Sequence, residues 1–256
     1  YNAFLVISDA TLAKYGTITA GFEWFRNWND PQQPEKEVEN RLEIMQKLLF
    51  NKNTLLDFIR NFIAYGHGGK KIIKKIALQH QYIAVNKIIK KAREIYPQKG
   101  ENRLGVIWHT TRSGKSFTMV LATRLLSKIK EFENPTFLVV TDRTDLDDQI
   151  TKFFRKDGFP YLKPEEAILE ADSITDLREK LKTPAGKVIF TTIQKFQVTK
   201  EERDGKVKYP KISDRRNIII IADEAHRSQY KKTAINLQTA LPHALRIGFT
   251  GTPIEI

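Results

Sequence analysis

Residues 109–116 read His-Thr-Thr-Arg-Ser-Gly-Lys-Ser, directly after the apolar run Leu104-Gly105-Val106-Ile107-Trp108 and before a segment of helical character, Phe117 to Lys130. A strand, a short loop and a helix in that order form a cradle for a nucleoside triphosphate. Backbone N–H groups across Thr111, Arg112, Ser113 and Gly114, with the positive end of the helix dipole, surround the β- and γ-phosphates. Lys115 supplies a mobile cation and Ser116 a hydroxyl for Mg²⁺. The fit to G-x-x-x-x-G-K-[ST] is incomplete. His109 stands at the first glycine position, and Arg112 where many motor ATPases carry another glycine. A Gly-Lys-Ser triplet in a Lys-rich chain also occurs as a basic turn. Arg112 is open in two directions: its Cβ strains a torsion that glycine allows, or its guanidinium contacts phosphate.

A second stretch, Asn217-Ile-Ile-Ile-Ile-Ala-Asp-Glu-Ala-His226, ends an apolar run in two adjacent carboxylates. Such a run reads as a buried parallel strand, and ligands of open α/β sheets collect at the carboxyl ends of strands. Asp223 is then placed to hold Mg²⁺, directly or through water, and Glu224 to orient and deprotonate an attacking water.

Elements must carry these groups, and the chain offers a βαβ alternation. Strands are predicted at Thr136–Thr141, Lys187–Thr191, Ile218–Ala222 and Arg246–Phe249, separated by helix-like polar stretches. This is the pattern of a parallel sheet with helices on both faces. Three further strand ends carry short hydroxyl residues or glycine: Thr141-Asp142-Arg143, Thr191-Thr192 and Thr250-Gly251-Thr252-Pro253. Each alone is an ordinary cap or turn. Together, in line with the two motifs above, they suit close approach to nucleic-acid phosphates or a response to the γ-phosphate.

Upstream, Tyr1 to Ser8 has the look of a strand that starts inside a domain, so the chain reads as a fragment. Residues 17–28 concentrate Phe22, Trp24, Phe25 and Trp28, aromatics that fill a core or, interleaved with Arg26, stack on single strands. After the break at Asp30-Pro31-Gln32-Gln33-Pro34, residues 35–63 show helical spacing of apolar side chains and read as a connector. Gly66-His67-Gly68-Gly69 marks the next boundary. The basic segment 70–75 follows, then a helix from about Gln79 to Ile95, whose Lys87, Lys90, Lys91 and Arg93 form a solvated face or touch phosphates. Glu201 to Lys211 reads as an exposed loop or hairpin. The divisions expected are 1–30, 31–68 and 69–256.

Composition agrees with a nucleic-acid enzyme. The 256 residues carry a formal charge of +13, which favours a polyanionic partner through counterion release. With no cysteine, disulfides and thiolate metal sites are excluded, and the five histidines lack ligand spacing. No apolar run approaches a membrane span and no signal-peptide pattern opens the chain, which points to the cytoplasm and away from membrane partners.

The ordered set resembles the first RecA-like lobe of superfamily 2 nucleic-acid motors. More closely, it resembles the restriction (R) subunit of type I restriction-modification enzymes. The likeness rests on IWHTTRSGKSFT at 107–118, VVTDRTDLDDQ at 139–149, IFTTIQKF at 189–196, DEAHRSQY at 223–230 and GFTGTPI at 248–254. Residues 2–25 and ALQHQYIAV at 77–85 look like the tail of that family's nuclease domain and its adenine-recognition segment. The resemblance implies a RecA-like P-loop NTPase lobe preceded by the end of a nuclease-type α/β domain, using ATP and Mg²⁺. It implies that Gln81 reads adenine, Lys115 and Ser116 hold phosphate and metal, Asp223 the metal and Glu224 the water. His226, Thr250 and Thr252 would link hydrolysis to DNA movement, and Arg143, Thr191 and Thr192 would meet DNA. Duplex DNA, modification and specificity subunits and a second RecA-like lobe are the implied partners. The nuclease carboxylates and the arginine finger would lie outside these residues. A different superfamily 2 helicase or remodeller, or a nucleic-acid-binding module with a defective nucleotide site, are the alternative readings.

Overall fold

The computed structural model describes the chain apart from residues 1, 10, 33–39, 69–70, 99, 111–112, 143–150, 152–153, 156–166, 206, 224–230 and 253–256, and apart from the side chains at 67, 68, 71 and 231. Two compact units emerge: Tyr1–Asn86 with 156–159, and Lys87–Arg155 with Pro160–Ile256.

The first unit opens with a three-stranded antiparallel sheet, β1 (Leu5–Ser8), β2 (Ala13–Gly16) and β3 (Arg26–Asn27), in the order β1-β2-β3. The predicted helical connector is two helices, α1 (Arg41–Leu48) and α2 (Lys52–Asn61). Asn51 separates them, its side chain accepting from the Asn53 N–H as an N-cap. The basic segment is one arm of a hairpin, β4 (Ile63–Gly68) against β5 (Lys71–Ile76), and α3 (Gln79–Ile95) follows. Aromatic packing holds this unit. Phe58 lies at the centre, its ring 5.5 Å from Trp28, 5.7 Å from Phe4 and 5.9 Å from Tyr15 by centroids. Burial pushes the Tyr15 phenol up, and its hydroxyl donates to the Ala77 carbonyl. Of the aromatics in 17–28, Phe25 and Trp28 are buried, while Phe22 and Trp24 are 51% and 65% exposed. Core packing thus accounts for half of that cluster. The Phe25 ring lies where a Cβ on Gly16 would meet it at 2.6 Å, so that strand end requires glycine.

The second unit is built on six parallel strands: β6 (Arg103–Trp108), β7 (Thr136–Thr141), β8 (Ile168–Glu170), β9 (Val188–Thr192), β10 (Ile218–Asp223) and β11 (Leu245–Thr250). Their spatial order is β6-β11-β10-β7-β9-β8. Leu138, Val140, Ile189, Ile218 and Ile220 pack with Leu177, Leu181 and Leu237 on one face. The alternating residues Phe137, Val139, Phe190, Ile219 and Ile221 point to the other face and are equally buried. Both faces are therefore covered, which is why these strands read as unbroken apolar runs rather than as alternating ones. At the edge, Gly105 takes φ +120°, where β6 carries one extra residue and its register with β11 shifts.

Helix α4 (Lys115–Leu126) is buried without a break from Phe117 to Thr123. Its threonines avoid orphaned hydroxyls by bonding back four residues, Thr123 to the Met119 carbonyl at 2.8 Å and Thr118 to the Gly114 carbonyl at 3.3 Å. Among the described residues the further α-helices of this unit are α5 (Ile174–Lys182), α6 (Lys200–Asp204) and α7 (Lys231–Ala240).

Helix α6 replaces the first part of the loop or hairpin expected over 201–211, while residues 207–211 are without regular structure. A capping box initiates it, with Thr199 and Glu202 satisfying each other's backbone N–H. Glu202 also accepts both guanidinium bonds of Arg178 on α5, at 2.6 and 2.9 Å. Those bonds, with the Thr199 N–H, hold the Glu202 carboxyl at about 2, below its ordinary 4.5. A depressed carboxylate contributes stability that is complete above its ordinary value and fades as pH falls toward the folded one. Urea midpoints of the wild type and Glu202→Gln are therefore expected to differ at about pH 6 and to converge toward about pH 2.5. A gap that stays constant across that range would remove the ion pair as its cause.

Candidate nucleotide site

The parallel register brings the carboxyl ends of β6, β11, β10, β7 and β9 to one edge of the sheet. Trp108 pairs with Thr250, and Phe249 with Asp223, so β11 lies between the loop after β6 and the carboxylate ending β10. The loop begins at His109, whose N–H donates to the Thr250 carbonyl at 3.0 Å, continuing the β6–β11 pairing beyond the strand. Ser113 N–H closes a turn onto the Thr110 carbonyl. Gly114 follows at φ 84°, ψ 34°, the left-handed region that costs an L side chain roughly 1–2 kcal/mol. As the N-cap of α4 it brings no side chain to the first helical turn, and the positive end of the helix dipole faces the loop.

Lys115 opens α4 and reaches the end of β10, with Nζ 2.8 Å from Oδ1 of Asp223. The Asp223 side chain is only 3% exposed and that of Lys115 21%. A carboxylate so deeply buried needs a counter-charge, because desolvating an unpaired ion costs several kcal/mol. Lys115 supplies it. Two motifs far apart in the chain thus meet as one ion pair, and each half is a group that a magnesium-bound triphosphate would claim.

The donor chemistry suits Mg²⁺, which takes hard oxygens and commonly keeps one or two protein ligands beside phosphate and water. The half-buried Ser116 hydroxyl and the Asp223 carboxylate are such donors. Among the described residues no group of three or more His, Cys, Asp and Glu is placed to hold a metal by itself.

The other strand ends are locked by short bonds. Thr250 is fully buried, and its hydroxyl donates to the Thr252 carbonyl at 3.1 Å while receiving the Thr252 N–H at 3.2 Å. Thr191 is fully buried and Thr192 nearly so, and the Thr141 hydroxyl turns to the Thr191 carbonyl. These hydroxyls serve the sheet edge, leaving backbone and neighbouring residues to present a surface. Gln194 joins the group unforeseen, its amide donating to the Asp142 carbonyl at 2.8 Å. Thr118 is the second addition, 3.3 Å from His109 Nδ1. A threonine four residues after a helix-capping glycine is a position for back-bonding, and that spacing was readable. Gln81 lies in the first unit, buried, with its side-chain oxygen accepting the Leu78 N–H at the start of α3. Thr111, Arg112, Arg143, Glu224 and His226 lie outside the described residues.

Among the described residues no helix is long and apolar enough to cross a membrane. The HindI endonuclease subunit of a type I restriction enzyme from Haemophilus influenzae is 37% identical across all of this chain, which covers 25% of that protein. A Methanocaldococcus jannaschii protein named for the MjaIXP type I restriction enzyme is 36% identical, again over all of this chain and 25% of the relative. The chain thus spans about a quarter of the length of these relatives. The solved UvsW helicase of bacteriophage T4 aligns with 79% of this chain and 60% of its own, at a TM-score of 0.49 and 17% identity. Residues 80–256 match the SWI2/SNF2 ATPase model, and with the six-stranded parallel sheet, the glycine-capped loop and the Lys115–Asp223 pair they place this chain in the SWI2/SNF2 ATPase family.

Proposed function

We propose that this chain is part of the ATP-dependent DNA-translocating and DNA-cleaving subunit of a type I restriction enzyme, with residues 69–256 as the first RecA-like motor lobe. Residues 1–30 are the edge of a nuclease domain and 31–68 connect the two. The Lys115–Asp223 pair carries the reading, because it joins a phosphate-seeking cation and a metal-seeking carboxylate in one place. The names of the relatives support the restriction assignment.

In this reading Lys115 exchanges Asp223 for the β- and γ-phosphates, and the loop from Thr111 to Gly114, Arg112 included, surrounds them with N–H donors. Mg²⁺, when bound through Ser116 and Asp223, neutralises charge on the phosphate oxygens. Glu224 orients the attacking water and takes its proton, and Gln81 reads the adenine edge. His226, Thr250 and Thr252 pass the change in the γ-phosphate to the strand ends at Arg143, Thr191 and Thr192, where duplex DNA runs. Modification and specificity subunits complete the complex in the cytoplasm, and an arginine from a second lobe completes the hydrolytic site.

Titration of the 256-residue chain with a fluorescent ATP analogue and Mg²⁺ is the direct test. Absence of binding would favour a nucleic-acid-binding module whose nucleotide site is defective at Arg112. The same chain is expected to bind duplex DNA weakly, with log affinity falling by about 0.9 per neutralised phosphate for each tenfold rise in salt. It is expected neither to cut plasmid nor to turn over ATP at a motor-like rate. Transition-state charge stabilisation by an arginine from elsewhere is worth about 10³–10⁵ in rate in related phosphoryl transfers. DNA affinity that ignores salt, or rapid DNA-stimulated hydrolysis, would contradict the assignment.

A further inference from the structure

We infer that His109 is a positioning residue that fixes the phosphate loop at both of its ends and ties it to the end of β11. The inference rests on the nucleotide reading of this loop. His109 occupies the position where the phosphate-loop pattern has glycine, yet it is not displaced outward: only 6% of it is exposed. Its backbone N–H is held by Thr250, the residue whose hydroxyl organises Thr252. Its ring reaches across the loop, placing Nδ1 3.3 Å from the Thr118 hydroxyl one turn into α4. That hydroxyl lies 3.3 Å from the Gly114 carbonyl, and the Thr118 N–H bonds the same carbonyl at 3.1 Å.

A threonine hydroxyl has one proton to give and lone pairs to receive. Donating to Gly114 and accepting from an imidazole N–H at Nδ1 satisfies all three groups at once. The residue that begins the loop and the glycine that ends it are then linked through a single side chain, Thr118, on a helix that is buried on every side at that level. A buried histidine that merely filled space would need no partner at both loop ends. This arrangement fixes the separation of His109 from Gly114. It also means that a shift of the loop is felt at Thr250 through the His109 N–H, without a moving helix.

The test compares nucleotide affinity in the 256-residue chain for His109→Ala, His109→Asn, Thr118→Val and the double variant His109→Ala/Thr118→Val, at a temperature below unfolding of each. Thr118→Val keeps the side-chain volume and removes only the hydroxyl, so it reports on the link even if His109→Ala folds poorly. Each of the two single deletions is expected to weaken binding of the ATP analogue with Mg²⁺ by about five- to tenfold, the range of one lost buried hydrogen bond. The double variant should be no weaker than the worse single, since both remove the same link. His109→Asn, which carries an amide N–H near the place of Nδ1, should recover affinity to within about twofold of wild type, less than the effect of one ordinary hydrogen bond. Additive losses, or an asparagine variant as weak as the alanine, would overturn the positioning role. So would wild-type affinity in His109→Ala beside a clear loss in Lys115→Ala. Unchanged affinity in Lys115→Ala would instead remove the nucleotide reading of the loop, and this inference with it.

Discussion

Lys115→Ala is expected to lower affinity for an ATP analogue with Mg²⁺ by roughly tenfold to a hundredfold, the loss of a charge-assisted phosphate contact worth about 1.5–3 kcal/mol. The same substitution should destabilise the empty protein, because Asp223 keeps only 3% of its side chain exposed and would lose its counter-charge. Breaking a fully buried pair costs about 3–5 kcal/mol, and the exposed fifth of Lys115 places this pair below that range. The two effects separate in a second variant. Lys115→Ala/Asp223→Asn removes the stranded charge, so its thermal midpoint should recover while nucleotide affinity stays low. Recovery of affinity together with stability would mean that Lys115 acts only as a partner to Asp223 and never on phosphate. Unchanged affinity in the single variant would dismiss the loop as a phosphate site.

Glu224→Gln, made in the full-length protein, is expected to reduce steady-state ATP turnover by about 10²–10⁴ while leaving nucleotide binding close to wild type, because the amide keeps shape and polarity but cannot take a proton. Translocation should fall with turnover. A variant that hydrolyses at the wild-type rate would exclude Glu224 as the base and turn attention to the other carboxylate of the strand end. Loss of binding and turnover together would point to a structural role at the end of β10.

The parallel sheet was readable because its central strands are buried on both faces. Thr136–Thr141 is predicted and observed with the same bounds, and the predicted runs at 187–191, 218–222 and 246–249 differ by a residue or so at their ends. Gly114 was readable too, since only a residue without Cβ enters the left-handed region at little cost. Other features were obscured by composition. Lys70, Lys71, Lys74 and Lys75 drew attention to charge and away from the pairing of Tyr65 with Lys74 across a hairpin. The crowded charges of 201–211 hid the Thr199-x-x-Glu202 box, a helix signal that was present all along. Phe22 and Phe25 sit in one aromatic cluster, but the 3-10 turn Phe22–Trp24 leaves Phe22 exposed while Phe25 is buried against Gly16. At the site, residue types announced a cation, a hydroxyl and two carboxylates. That Lys115 meets Asp223, and that the His109 ring reaches the Thr118 hydroxyl, depends on strand order and helix phase, which local spacing does not encode.

Helix α4 has a mechanical consequence. Enclosed from Phe117 to Thr123, with its threonine hydroxyls donated to its own carbonyls, its central stretch presents no exposed stripe about which to roll. Close-packed interiors resist such displacement, since every atom moved must push aside another. The helix therefore acts as an anvil. On the proposed motor reading, a force generated at its first turn would be returned to the sheet edge, where Thr250 holds the His109 N–H, and work would leave the lobe through strand termini rather than through a travelling helix.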